Sequence, residues 1–159
     1  DLRSRYLSLG AGELTAAAVF LWAAIRYGRP LDGSGRTALA AAVAPLLTLL
    51  VAAGVYWLLA RSWVGVGVMP RPLARAYTVI GWGVAALLVA GLVGLLLWSP
   101  SPGWRLLLLV VWGFGVVEFV NYYVRRLAFP PASWWSGVRA ARTPRLVLDM
   151  RASRGHAAP

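Results

Sequence analysis

The chain reads as an all-α protein: a four-transmembrane-helix bundle followed by a short C-terminal interfacial amphipathic helix. Three observations predict this. Of its 159 residues, 60% are hydrophobic and 13% charged, whereas soluble domains run to about 45–50% apolar and about 25% charged. The apolar residues gather into four runs, at about 7–25, 38–60, 76–98 and 106–124. Each reaches or approaches the ~20 residues that a helix rising ~1.5 Å per residue needs to cross ~30 Å of hydrocarbon. The basic residues, finally, fall unevenly on the two sides that these runs define. Residues 1–131 form the bundle and 132–159 a basic tail.

The first run follows Arg3 and Arg5, which imitate the start of a secretory signal. Its apolar stretch is longer than a signal core, contains Glu13, and ends in Arg26-Tyr27 without a small-residue cleavage site, so it reads as a retained span. Asp1 in place of Met leads us to expect further residues ahead of it. Asp32-Gly33-Ser34-Gly35 makes the first turn. The second run carries Pro45, which removes one helix hydrogen bond and is a candidate kink. Gly65, Gly67, Pro70 and Pro72 break the chain before the third run. There, Ala86, Ala90 and Gly94 have the small-xxx-small spacing that lets helices approach closely. Ser99-Pro100-Ser101-Pro102-Gly103 forms a tight hairpin into the fourth run, which Pro130-Pro131 closes.

Sidedness follows from arginine, the only basic residue besides His156. Arg3, Arg5, Arg61, Arg71, Arg75, Arg125, Arg126, Arg139, Arg142, Arg145, Arg151 and Arg154 fall on one side, twelve in all; Arg26, Arg29, Arg36 and Arg105 fall on the other. The positive-inside bias predicts that both termini are cytoplasmic. The net charge of +11 is then largely topology, with the remainder meeting anionic headgroups. No nucleic acid is needed to explain it. Trp98, Trp104, Trp134 and Trp135 read as interface anchors, as do Trp63, Tyr6, Tyr27 and Tyr77, because amphipathic rings favour that depth. Trp22, Trp57, Trp82 and Trp112 fall within or near the ends of spans, where lipid contact or packing is the expected use.

Missing residue types exclude whole chemistries. There is no cysteine, and the one histidine, His156, lies in the tail. No thiolate metal site, iron–sulfur cluster or histidine-ligated haem is expected within the spans. No span carries an aspartate, and no phosphate-binding glycine loop is present. We therefore expect no cofactor and no catalytic residue, and a non-enzymatic protein.

Of five acids, Glu13 and Glu118 lie inside spans, where an ionised side chain costs roughly 2.5–3.5 kcal/mol on insertion scales. At ~100° per residue, Glu118, Asn121, Tyr122 and Arg125 share a helix face. Glu118 is within a turn of Tyr122, and Asn121 of Arg125. Glu13 lies eight residues from Arg5 and Glu118 seven from Arg125, which places both carboxyls roughly 10 Å inside the same boundary. Glu13, Glu118, Asn121, Tyr122 and Arg125 form the candidate intramembrane polar site.

In Glu118–Leu127 the pattern Glu-x-Val-Asn-Tyr-Tyr-x-x-Arg-Leu, with Arg-Thr-Pro-Arg-Leu-Val-Leu-Asp-Met-Arg at Arg142–Arg151, resembles small four-span bacterial integral membrane proteins. The likeness covers mainly the last third of the chain. It implies four spans and a bacterial inner membrane, and no particular activity. Small multidrug transporters are similar in having four spans and a membrane-embedded Glu in the first. The second acid, the long second loop and the basic tail are departures from them. In the tail, Thr143-Pro144 reads as a helix start. Leu146, Val147 and Met150 read as its apolar side, and Arg142, Arg145, Asp149 and Arg151 as its polar one, with Arg145 and Asp149 one turn apart. Three uses of the acids follow: tying helices together, carrying a proton or cation, or meeting another membrane protein. The expected function is an accessory or scaffold subunit of a larger membrane assembly, in contact with lipid and with other subunits or further copies of itself. A small proton-coupled transporter of a cationic substrate, working through Glu13 and Glu118, is the alternative.

Overall fold

The computed structural model describes residues 2–125 and 142–155. Readings that fall on Arg126, Leu127, Pro130, Pro131, Trp134, Trp135, Arg139 and His156 lie outside them. Among the described residues, five α-helices follow in order: α1 (Leu2–Gly28), α2 (Gly33–Ala60), α3 (Arg71–Trp98), α4 (Pro102–Phe119) and α5 (Arg145–Gly155). A π-helical turn, Val120–Val124, continues α4. The first four helices are long and apolar enough to cross a membrane.

Each of these four begins four or five residues ahead of its apolar run, and at α2 and α4 a side-chain cap fixes the start. Asp32 caps α2, accepting from the Gly35 N–H at 2.7 Å and from the Ser34 hydroxyl. Those two donors, the backbone one foremost, hold its carboxyl below the usual carboxylate range. Ser101 caps α4 by accepting from the Trp104 N–H, and Pro72 and Pro102 occupy first-turn positions where no N–H is needed.

α2 is the hub. It packs against α1, α3 and α4, while α3 packs against α4, and α5 settles on α3 and the π turn. The crossings are close. A Cβ on Gly54 would lie 2.7 Å from Leu14 and 3.2 Å from the Gly10 carbonyl, so α1 and α2 meet there nearly backbone to backbone. A Cβ on Gly91 would collide with the Ala41 carbonyl oxygen of α2. α2 runs through Pro45 without a break. Having no N–H, Pro45 leaves that Ala41 carbonyl without its usual helical donor, and the carbonyl faces the Cα of Gly91 on α3.

The small-residue stripe is not the one expected. Gly94 is buried and would press on Ala41, but Ala86 and Ala90 are exposed. The buried face of α3 runs through Gly81, Val84, Leu88, Gly91 and Leu95. Steps of four residues drift ~40° each around a helix, whereas alternating steps of three and four stay on one face. Ala86 therefore ends up opposite the packed side.

At one end of the bundle, Tyr56, Trp63, Met69, Ala74, Tyr77 and Tyr122 form the largest core cluster, completed by Leu146 and Met150 of α5. Outward-facing surface is apolar: Trp82 is 76% exposed, and Val79, Val89, Leu97 and Leu106 are exposed likewise. Apolar surface this extensive belongs in lipid.

Candidate functional site

Three spans converge on the Tyr122 hydroxyl. The Trp57 indole of α2 donates to it at 3.0 Å, and the hydroxyl in turn donates to the Glu13 carboxyl of α1 at 2.5 Å. Tyr6, nearer the start of α1, sets its ring edge-on to Trp57 at 5.0 Å. The Glu118 carboxyl is hydrogen-bonded by the Asn121 side chain and lies within Coulombic reach of both Glu13 and Tyr122. Glu13 and Glu118 are half-buried and Tyr122 is buried. Of the candidate residues, Glu13, Glu118, Asn121 and Tyr122 therefore gather in one place. Arg125 follows directly, half-buried in extended backbone.

The π turn decides which group meets which. Its closing bond runs from the Arg125 N–H to the Val120 carbonyl, five residues back, at 2.7 Å. The wider turn rotates the side chains that follow relative to an α-helix, a device common at functional sites. Adjacent tyrosines part company: Tyr122 reaches α1 and α2, while Tyr123 turns to α3 and donates to the Tyr77 carbonyl at 3.1 Å. Glu118 takes Asn121, three residues on, and Tyr122 takes Glu13 in place of the Glu118 expected from i,i+4 spacing.

A second polar anchor lies one residue along α2 from Trp57. Asp149 of α5 is only 8% exposed. Its Oδ2 accepts from the Tyr56 hydroxyl at 2.8 Å and from the Trp63 indole at 3.1 Å, and its Oδ1 pairs with Arg145 at 3.0 Å. This corrects three expectations. Asp149 is not on an outward polar side, and Trp63 and Tyr77 are core residues with no place in an interfacial belt. The missed signal was spacing: Leu146, Asp149, Met150 and Ser153 fall within ~100° of one another on a helix, and all four are buried.

Trp98 is 46% exposed and Trp104 half-buried beside the hairpin, and Trp22 and Trp82 face outward. Trp112 donates to the Leu88 carbonyl at 2.8 Å and helps join α4 to α3. Among the described residues, no three acidic or histidine side chains gather as metal ligands would. Chemically, the neighbouring Glu13 and Glu118 carboxyls are suited to accepting hydrogen bonds or attracting a cation. Compared with protein-family models, curated proteins and solved structures, the chain matches none.

Proposed function

We propose that this protein is a non-enzymatic accessory or scaffold subunit of a membrane assembly, resident in a bacterial inner membrane with both termini cytoplasmic. The observation that carries this reading is the Trp57–Tyr122–Glu13 chain. It spends the polar groups within the spans on joining three helices. Unsatisfied polar groups in hydrocarbon are costly, and interhelical hydrogen bonds are the usual remedy. The partner's place is the groove of 620 Å³ between α2 and α3, lined by Leu47, Val51, Val55, Leu59, Leu73 and Ile80 among others. Its apolar, concave form suits a transmembrane helix of another subunit. Gentle purification should bring down a stoichiometric membrane partner. Val55→Trp, which fills the groove, should release that partner without lowering thermal stability. A partner retained undiminished by Val55→Trp would place the interface elsewhere, and a chain that never carries a partner would end the subunit reading.

The juxtaposition of Glu13 and Glu118 favours the second reading, a proton-coupled transporter of a small cation. Under it, Glu118→Gln abolishes flux in proteoliposomes while the fold persists. Under the subunit reading, Gln is tolerated and Glu118→Leu weakens the bundle.

A further inference from the structure

The first turn of α3 has the wrong charge for a helix start. Arg71 opens the helix and Arg75 follows one turn on, with no acid in the first turn and no side-chain cap. Cations near a helix N-terminus oppose its dipole, and like charges at i,i+4 repel each other. Beside this turn lies a cavity of 260 Å³, lined by Arg71, Ala74, Arg75, Ser153 and Arg154. It is many times the ~10–15 Å³ that a single water needs. Among the described residues, three guanidinium groups line it, and no carboxylate. The acid of α5, Asp149, is engaged by Tyr56, Trp63 and Arg145.

Two further features mark a built site and not merely surface charge. Arg154 is held against α3 by a hydrogen bond from its Nη2 to the Thr78 hydroxyl at 3.1 Å. Ser153 is 2% exposed, and its hydroxyl has no hydrogen-bond partner among the described residues. A buried hydroxyl without a partner is unfavourable by ~1–3 kcal/mol, and rotation about one bond re-aims it.

We propose that this cavity binds a phosphate ester: the arginine forks take its oxygens, the α3 N-terminus supplies positive potential, and the Ser153 hydroxyl donates the remaining bond. Guanidinium groups match phosphate geometry bidentately, and an anion here turns the misplaced charges of α3 into complementary ones. The cavity lies where α3 begins; α3 is long and apolar enough to cross a membrane, and the ends of such helices meet the headgroup region, so an anionic phospholipid is the favoured source. Free phosphate shares the same chemistry.

Native mass spectrometry of the full chain in a phosphate-free maltoside separates the two sources. Titration with phosphatidylglycerol should show one lipid retained per chain, and inorganic phosphate should compete with it. Retention of phosphate with no preference for the lipid would support the site with a soluble ligand. Arg154→Gln should weaken binding about tenfold and Ser153→Ala about threefold. Arg151→Gln, an exposed residue of the same helix outside the cavity lining, should bind like the parent. Because Ser153→Ala removes a hydroxyl that has no hydrogen-bond partner among the described residues, the fold should tolerate it, and it decides the matter if Arg154→Gln unfolds. Parent-level binding by Ser153→Ala, equal losses with Arg151→Gln and Arg154→Gln, or no one-to-one binding of either probe would each overturn the proposal.

Discussion

Two residues do more than their size suggests. Tyr122 is donor to Glu13 and acceptor for Trp57, so Tyr122→Phe breaks both bonds while keeping the ring. Interhelical hydrogen bonds in membranes are worth ~0.6 kcal/mol on average and up to ~1.7. We expect a loss of about 1–2 kcal/mol, read as a lower midpoint of thermal unfolding in detergent, with Glu13→Gln closer to the parent. Asp149 is the stricter case. Asp149→Ala strands the Tyr56 hydroxyl and the Trp63 indole in the core and removes the partner of Arg145. The expected loss is about 2–4 kcal/mol, with α5 released and trypsin cutting at Arg145 at least about tenfold faster. Asp149→Asn keeps an acceptor oxygen and should fall in between. Unchanged proteolysis in Asp149→Ala would show that Leu146 and Met150 hold α5 by themselves.

The elements are set by backbone approach and by caps. Gly91→Ala drives a methyl into the Ala41 carbonyl, and α2 and α3 must separate to admit it. A loss of about 1–3 kcal/mol follows. A methyl on Gly83 meets nothing within 4 Å, so Ala there should bring no loss, or a gain of up to ~1 kcal/mol. Equal behaviour of the two variants would disprove the close α2–α3 crossing. At the start of α2, the fold lowers the pKa of Asp32 through the Gly35 N–H and the Ser34 hydroxyl. The ionised form is thus favoured in the folded state. Its contribution is complete above the unfolded value of ~3.9 and fades as pH falls through the lower folded value. Asp32→Asn retains capping and should lose that acid-side dependence, which melting curves between about pH 2 and about pH 5 can read.

For the whole molecule, the fold class was legible because a span is dictated by length and apolarity, properties local to each run. Glu13 and Glu118 were legible because acids in hydrocarbon are rare and costly. The hydrogen-bond partners were not. Which residue meets Glu13 depends on how four helices are rotated against one another and on one π turn at Val120–Val124, and neither leaves a period in the sequence. The buried role of Trp63 was hidden for the same reason: a tryptophan past the end of a span reads as an anchor until a fifth helix covers it. The arginine distribution carries the prediction at this scale. A reporter fused after Pro159 should read cytoplasmic and one placed in 99–103 external; the reverse labelling would overturn the orientation. The Asp149 anchor also has a consequence for biosynthesis. Tyr56 and Asp149 are 93 residues apart, and ribosomes add about 5–20 residues per second. Tyr56 of the second span therefore waits roughly 5–19 s for its acceptor, and it and the Trp63 donor just beyond that span must be tended by lipid headgroups, water or the insertion machinery until α5 emerges.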